Sequence, residues 1–318
     1  MTATPAPRTR TSLGSLSVSR LSLGGNVFGW TADEAESFAV LDAYVAGGGN
    51  FIDTADVYSA WVPGNKGGES ETVLGNWLSS RGNRSDVVIA TKVGAHPAYK
   101  GLSAATIKAA VDESLTRLRT DYLDLYYTHY DDESVEVSEF LTALDDLVRA
   151  GKVREIAASN ISAQRLEESL AFSDREGLAR YVALQPHYNL VSRDTYEGEL
   201  ADVAARNGVA AVPYYALASG FLTGKYRPGT STDSARSGAA AKHLATDRGL
   251  RVLTALDSVA AAHQAEIATV ALAWLAAQPT VVAPIASART VSQLPALLGV
   301  AELTLTDAEL KLLDEASA

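Results

Sequence analysis

The sequence predicts an α/β fold, a (β/α)8 TIM barrel with an N-terminal β-hairpin and extra C-terminal helices. Three observations carry that prediction. Eight apolar runs of strand length alternate with helical patterns from residue 20 to the end. Each repeat takes roughly 30–40 residues, the ordinary size of a βα unit. Ionisable residues also stand at the ends of several apolar runs, where a barrel would gather them around one axis.

Taken in chain order, residues 12–22 (TSLGSLSVSRL) alternate small polar and apolar residues around Gly14 and predict a short hairpin. The barrel strands are expected at 20–24, 50–54, 87–92, 122–129, 153–159, 181–185, 209–214 and 281–285. Helices are expected at 33–46, 70–81, 104–118, 135–150, 163–174 and 194–206, each ending near Gly, Asn or a charged turn. Residues 216–246, rich in Gly, Ser, Thr and Ala, are too long for a simple connection and form a candidate functional loop. Helical stretches follow at 247–263 and 267–277. Thr306 with Glu309 three residues later makes a capping box for a final helix. We read 1–318 as one domain, with residues 1–11 a frayed leader.

Composition narrows the function classes. An apolar share of 47% and a charged share of 20% supply a large core. With 27 basic against 38 acidic side chains the net charge is −11, which disfavours nucleic acid or an anionic membrane as partner. A small molecule is the expected partner. Cysteine is absent, which removes disulfides and thiolate chemistry and fits a cytoplasmic location. The most apolar segment, 267–286, is cut by Pro279 and Pro284 into a helix and a buried strand rather than a membrane span. The histidines have no metal-ligand spacing and HExxH is absent, so no metal is expected.

Asp53 and Tyr58 lie in FIDTADVY, Lys92 in DVVIATKVG and His129 in YLDLYYTH. Taken singly, each has an ordinary explanation: a loop-ordering Asp, a packed Tyr, a Lys at the solvent boundary, a core His. Together, at the ends of predicted strands two, three and four, they resemble the catalytic tetrad of the aldo-keto reductases. The resemblance extends over nearly the whole chain and implies reduction of an aldehyde or ketone, with a hairpin closing the barrel floor. Carbonyl reduction needs a hydride at carbon and a proton at oxygen. Tyr58 is the expected general acid. A free phenol titrates near 10, so Lys92 is expected to favour its phenolate, Asp53 to hold that ammonium, and His129 to orient the carbonyl oxygen.

No GxGxxG follows a strand, so barrel loops must hold the cofactor. Segments 151–160, 184–190, 214–226 and 287–294 resemble the reductase cofactor shell. That resemblance implies Ser159, Asn160 and Gln185 on the nicotinamide carboxamide and Tyr214 stacked on its ring. It also implies Leu217, Ala218, Gly220 and Lys225 along the pyrophosphate. The turn opened by Ser287 is expected to begin a helix whose amides favour an anion, with Arg289 gripping a 2′-phosphate. NADPH (NADP+) is therefore expected over NADH. Gln293 remains for the adenine, while Ala296 and Leu297 stand where the family often carries Glu-Asn.

Trp30, Trp61 and His96 are expected to wall the substrate site. Two other readings compete with this one. One is a redox-sensing NADPH-binding module with slow turnover, like channel-associated members of the same family. The other is a Schiff-base barrel enzyme with Lys92 as nucleophile.

Overall fold

The computed structural model describes residues 10–229 and 237–318. Strands β1 (Arg10–Leu13) and β2 (Leu16–Ser19) pair antiparallel, Leu13 opposite Leu16, as the expected hairpin. Arg10 and Thr11, expected in the leader, are therefore part of β1; residues 1–9 lie outside the described residues. Leu13, Leu16 and Val18 pack against Phe51, Val88, Leu125 and Ala157 inside the barrel. The Ser15 amide donates to Glu155 Oε1 at 2.7 Å, fixing the hairpin over the strands' N-terminal ends. The hairpin is the barrel floor.

The chain then runs through β3 (Ser22–Gly24), α1 (Glu34–Ala46), β4 (Phe51–Asp53), α2 (Glu69–Arg81) and β5 (Val88–Val93). A small hairpin, β6 (Ala95–His96) and β7 (Tyr99–Lys100), precedes α3 (Ala104–Leu118). Next come β8 (Leu123–Thr128), α4 (Val137–Arg149), β9 (Val153–Ser159), α5 (Ala163–Glu176) and β10 (Tyr181–Gln185). The remainder is α6 (Glu199–Arg206), β11 (Ala210–Ala211), α7 (Ser237–Leu244), α8 (Asp247–His263), α9 (Ile267–Ala276), β12 (Ile285–Ala286), α10 (Leu294–Leu298) and α11 (Asp307–Ser317).

One parallel sheet runs β11-β10-β9-β8-β5-β4-β3-β12. The Ala211 amide bonds Thr280 O at 2.8 Å and the Val282 amide bonds Ala211 O at 3.0 Å, so β11 meets the segment before β12 and the ring closes. Strands β5 and β8 are buried along their whole length, as parallel strands covered on both faces must be. One apolar cluster fills the ring, and a second lies between the strands and the helical layer, where Trp77 and Trp274 are fully buried.

Helix starts follow side-chain chemistry. Asp33 and Glu36 form a capping box at α1, and Ser103, Ser162 and Thr246 each accept an amide at α3, α5 and α8. The expected Thr306–Glu309 capping box is present at α11. No single described helix is long and apolar enough to cross a membrane; α8 and α9 are bent by 99°.

Three elements differ from expectation. The strand expected at 209–214 holds regular pairing only at Ala210–Ala211, and that at 281–285 is displaced to Ile285–Ala286. Pro213 and Pro284 carry no amide hydrogen, so the ladder breaks there and continues through single bonds such as Ile285 N to Pro213 O, 2.9 Å. The helix expected from 194 begins at Glu199, because Gly198 at φ 97° breaks the turn ahead of it. The loop at 216–246 contains a 3-10 turn over Ala218–Thr223 and α7, with residues 230–236 outside the described residues.

Candidate active site

Parallel strands in register bring their C-terminal residues to one rim. Gly24 pairs with Asp53, Lys92 with Tyr127, and Gln185 with Ser159. Asp53 ends β4, Lys92 is next to last in β5, His129 follows β8, Ser159 ends β9 and Gln185 ends β10. Tyr58 reaches the same point from the loop after β4.

The four tetrad residues converge. Lys92 Nζ, fully buried, lies 2.8 Å from both Asp53 oxygens, 2.7 Å from Thr54 O and 3.0 Å from the Tyr58 hydroxyl. The Tyr58 hydroxyl is 3.3 Å from Asp53 Oδ2, and its ring meets that of His129 edge-on at 6.2 Å. Gln185 Nε2 donates to Asp53 Oδ1 at 2.9 Å. With its three N–H groups donated to Asp53, Thr54 and Tyr58, Lys92 is built as a cation and not as a free amine nucleophile.

Burial first, and then the Asp53 carboxylate, push the Tyr58 phenol well above its ordinary value, so the resting site as a whole keeps the phenol protonated although Lys92 donates to its oxygen. Burial pulls the Lys92 ammonium down while Asp53 holds it up. His129 is held well below the usual imidazole range by burial and then by Lys92. The ring is neutral, and its buried Nδ1 has no hydrogen-bond partner.

The residues expected around a nicotinamide form a connected set beside the tetrad. Asn160 Nδ2 donates to His129 O at 2.8 Å and to Ser159 Oγ at 3.0 Å, and Asn160 Oδ1 accepts from the Tyr214 hydroxyl at 2.8 Å. Ser159 Oγ donates to Gln185 O at 2.9 Å. One face of Tyr214 is stacked on His187 at 5.4 Å. Leu217 precedes the 3-10 turn that holds Ala218 and Gly220, where Ala218, Ser219 and Gly220 all have positive φ. Lys225 is exposed, its Nζ 4.9 Å from the Tyr226 ring centre.

At the end of β12, Ser287 Oγ donates to Asn26 Oδ1 at 2.6 Å. Gly24 permits this approach: a Cβ there would fall 2.5 Å from Ser287 Oγ. Arg289 is exposed, and its amide donates to Gln293 Oε1 at 2.8 Å. The helix expected here is only a 3-10 turn, Val291–Gln293, followed by the short α10. Pro295 stands in its first turn, where a missing amide hydrogen costs nothing, and the chain continues into a 3-10 turn over Gly299–Ala301.

On the side expected to face the substrate, Trp30 meets Trp61 edge-on at 5.6 Å, and Trp61 lies 6.1 Å from the Tyr58 ring. His96 is not part of this wall. It is buried against Gly67, lies tilted against Tyr99 at 5.4 Å, and its Nδ1 accepts the Ala98 amide, because the β6–β7 hairpin folds it inward. The sequence pattern does not single out two further aromatic residues. Tyr130 stacks on His129 at 4.8 Å and is 54% exposed, and Tyr215 packs on Tyr214 and is 50% exposed. Each directly follows a residue already singled out, which was the available signal.

The aldo/keto reductase family model matches residues 20–318 of this chain. The chain belongs to the aldo/keto reductase family. Its similarity to individual relatives is also extensive. Protein tas of Escherichia coli (strain K12) is 34% identical over 308 residues, covering 88% of this chain and 88% of the relative. Norsolorinic acid reductase B of Aspergillus parasiticus is 33% identical over 321 residues, 95% of this chain and 81% of the relative. A probable voltage-gated potassium channel subunit beta of Arabidopsis thaliana is 34% identical over 289 residues, 88% and 86%. The chemistry of the aldo/keto reductases is carbonyl reduction with a nicotinamide cofactor, and the barrel rim of this member carries the groups just described.

Proposed function

We propose that this aldo/keto reductase reduces an aldehyde or ketone to the alcohol with NADPH, and that Tyr58 is the general acid. The observation that carries the reading is the placement of the Tyr58 hydroxyl between Lys92 and Asp53 at a rim open toward Trp61 and His129. The donor set suits a nicotinamide. Amide and hydroxyl groups of Ser159, Asn160 and Gln185 end two adjacent strands, and the Tyr214 ring is oriented by His187 and Asn160. Arg289 supports NADPH by its fork geometry, which matches a phosphate. When bound, the nicotinamide supplies the hydride.

The residues supply the rest. Lys92 donates to the phenolic oxygen, and the Tyr58 proton, which rests on a long 3.3 Å bond to Asp53 Oδ2, turns from it to a carbonyl oxygen. Burial keeps that proton on the phenol until negative charge develops on the substrate. The ammonium, fixed by Asp53, then stabilises the charge that arises on the tyrosine oxygen. Neutral His129 beside the phenol is the second group available to hold the carbonyl oxygen in line.

The rim favours flat, apolar carbonyl compounds. Trp61, Tyr130 and Tyr215 are three of the six large exposed apolar residues among the described residues, and they surround Tyr58, His129 and Tyr214. Aromatic rings offer stacking area and no ion pair. A panel of aryl aldehydes, aliphatic aldehydes and sugars, followed by loss of NADPH absorbance, tests this. Turnover with aryl aldehydes at the highest kcat/KM is expected, and no carbonyl-dependent NADPH oxidation anywhere in the panel would overturn the reading.

A further inference from the structure

Behind the tetrad lies a second buried set of charges that the reaction just described does not use. Asp56, three residues after Asp53 and two before Tyr58, is fully buried, and neither carboxyl oxygen has a hydrogen-bond partner. Glu71 of α2 is also fully buried, but it is satisfied: it accepts from Thr91 Oγ1 at 2.6 Å and from Arg117 Nε of α3 at 2.7 Å. The charged groups acting on Asp56 are Glu71, Arg117 and Lys92 of β5. The Tyr126 hydroxyl of β8 is buried without a partner and feels both Asp56 and Glu71. His96 of β6 closes the outer side over Gly67 and feels Glu71 and Arg117.

Charge balance identifies the odd member. Asp53, Asp56 and Glu71 face only two cations, Lys92 and Arg117. Asp53 takes the lysine and Glu71 the arginine, each at hydrogen-bond distance. A third carboxylate there, with no side-chain donor and only a marginal approach from the Val57 amide, would be an uncompensated buried charge, and such a group takes up a proton instead. Burial and then the Glu71 carboxylate push the Asp56 carboxyl up to about 8.

We propose that Asp56 carries a proton in the working enzyme and acts as a positioning residue for the Lys92–Tyr58 pair. As a neutral acid it leaves the lysine's field to Asp53 and the phenol. When it ionises, its proton leaves to solvent hydroxide, and the new negative charge opposes phenolate development at Tyr58, so reduction declines on the alkaline side. The inference rests on Tyr58 being the proton donor. Tyr58 itself stays protonated through this range, so it does not supply the ionisation.

The test joins two readouts on the full chain. Infrared spectra of the wild-type protein, labelled with 13C-aspartate and without substrate, are expected to show a protonated carboxyl band at pH 6.5 that disappears around pH 8 and is missing in Asp56→Asn. In Glu71→Gln the same loss is expected at lower pH, because the neighbouring charge has gone. The kcat/KM of wild type for an aldehyde is expected to fall roughly fivefold between pH 6.5 and 9, and the Asp56→Asn profile to stay flat over that span. Absence of the band at pH 6.5, or an unchanged alkaline fall in Asp56→Asn, would overturn the proposal. If the protein reduces no carbonyl compound at all, the reductase reading fails, and the loss of a rate to be tuned removes the positioning role even where the infrared titration finds the proton.

Discussion

Lys92 Nζ stands 3.0 Å from the Tyr58 hydroxyl while lying 2.8 Å from both oxygens of Asp53. One buried cation thus serves the proposed proton donor and its own counter-ion together, and the two tasks can be separated by mutation. Lys92→Met is expected to remove most activity and to lower stability by about 3–5 kcal/mol, because Asp53 is left as an unpaired buried carboxylate. Adding Asp53→Asn is expected to recover most of the stability and none of the activity. Urea denaturation alongside NADPH oxidation checks this, and equal recovery of both would show that Lys92 serves only the fold.

Arg289 is exposed at the end of β12, with its backbone tied to Gln293. If its guanidinium grips the 2′-phosphate, Arg289→Ala is expected to weaken NADPH binding by about 2 kcal/mol, some 30-fold, and to leave NADH nearly unaffected. Fluorescence titration with each cofactor measures the difference. Equal weakening of both would remove the phosphate assignment.

His129 sits beside Lys92 in a buried setting that depresses its protonation. Its protonated form becomes populated only as pH falls through a value well below the usual imidazole range, so the neutral ring persists across neutral pH. No loss of kcat/KM from this group is expected between pH 6 and 8, with any acid limb lying lower. Nitrogen-15 NMR of the labelled ring should report a neutral imidazole at pH 6; an imidazolium there would contradict the assignment.

Much of the site was legible because a parallel barrel turns strand order into spatial order. Once 51–53, 88–93 and 123–128 are neighbouring parallel strands, Asp53, Lys92 and His129 must share a rim, whatever their separation in sequence. Helix starts were readable for a local reason: Thr306 and Glu309 satisfy each other's amides within a single turn. The fate of 209–214 and 281–285 was less legible, because Pro213 and Pro284 interrupt a ladder whose partner strand the sequence does not name. His96 was misplaced as a wall because its direction depends on a two-residue hairpin closing over Gly67. The rise of the Tyr58 phenol was missed because it depends on burial, which the spacing of Asp53, Tyr58 and Lys92 does not report.

The most direct measurement of the central claim is NADPH binding and single-turnover aldehyde reduction in Tyr58→Phe. The ring and its packing against Trp61 and His129 remain in this variant, and only the proton donor is lost. NADPH affinity is expected within about threefold of wild type, with the rate of NADPH oxidation down by about 100- to 10,000-fold. Reduction at the wild-type rate with the hydroxyl gone would contradict Tyr58 as the acid and, with it, the chemistry assigned to this rim.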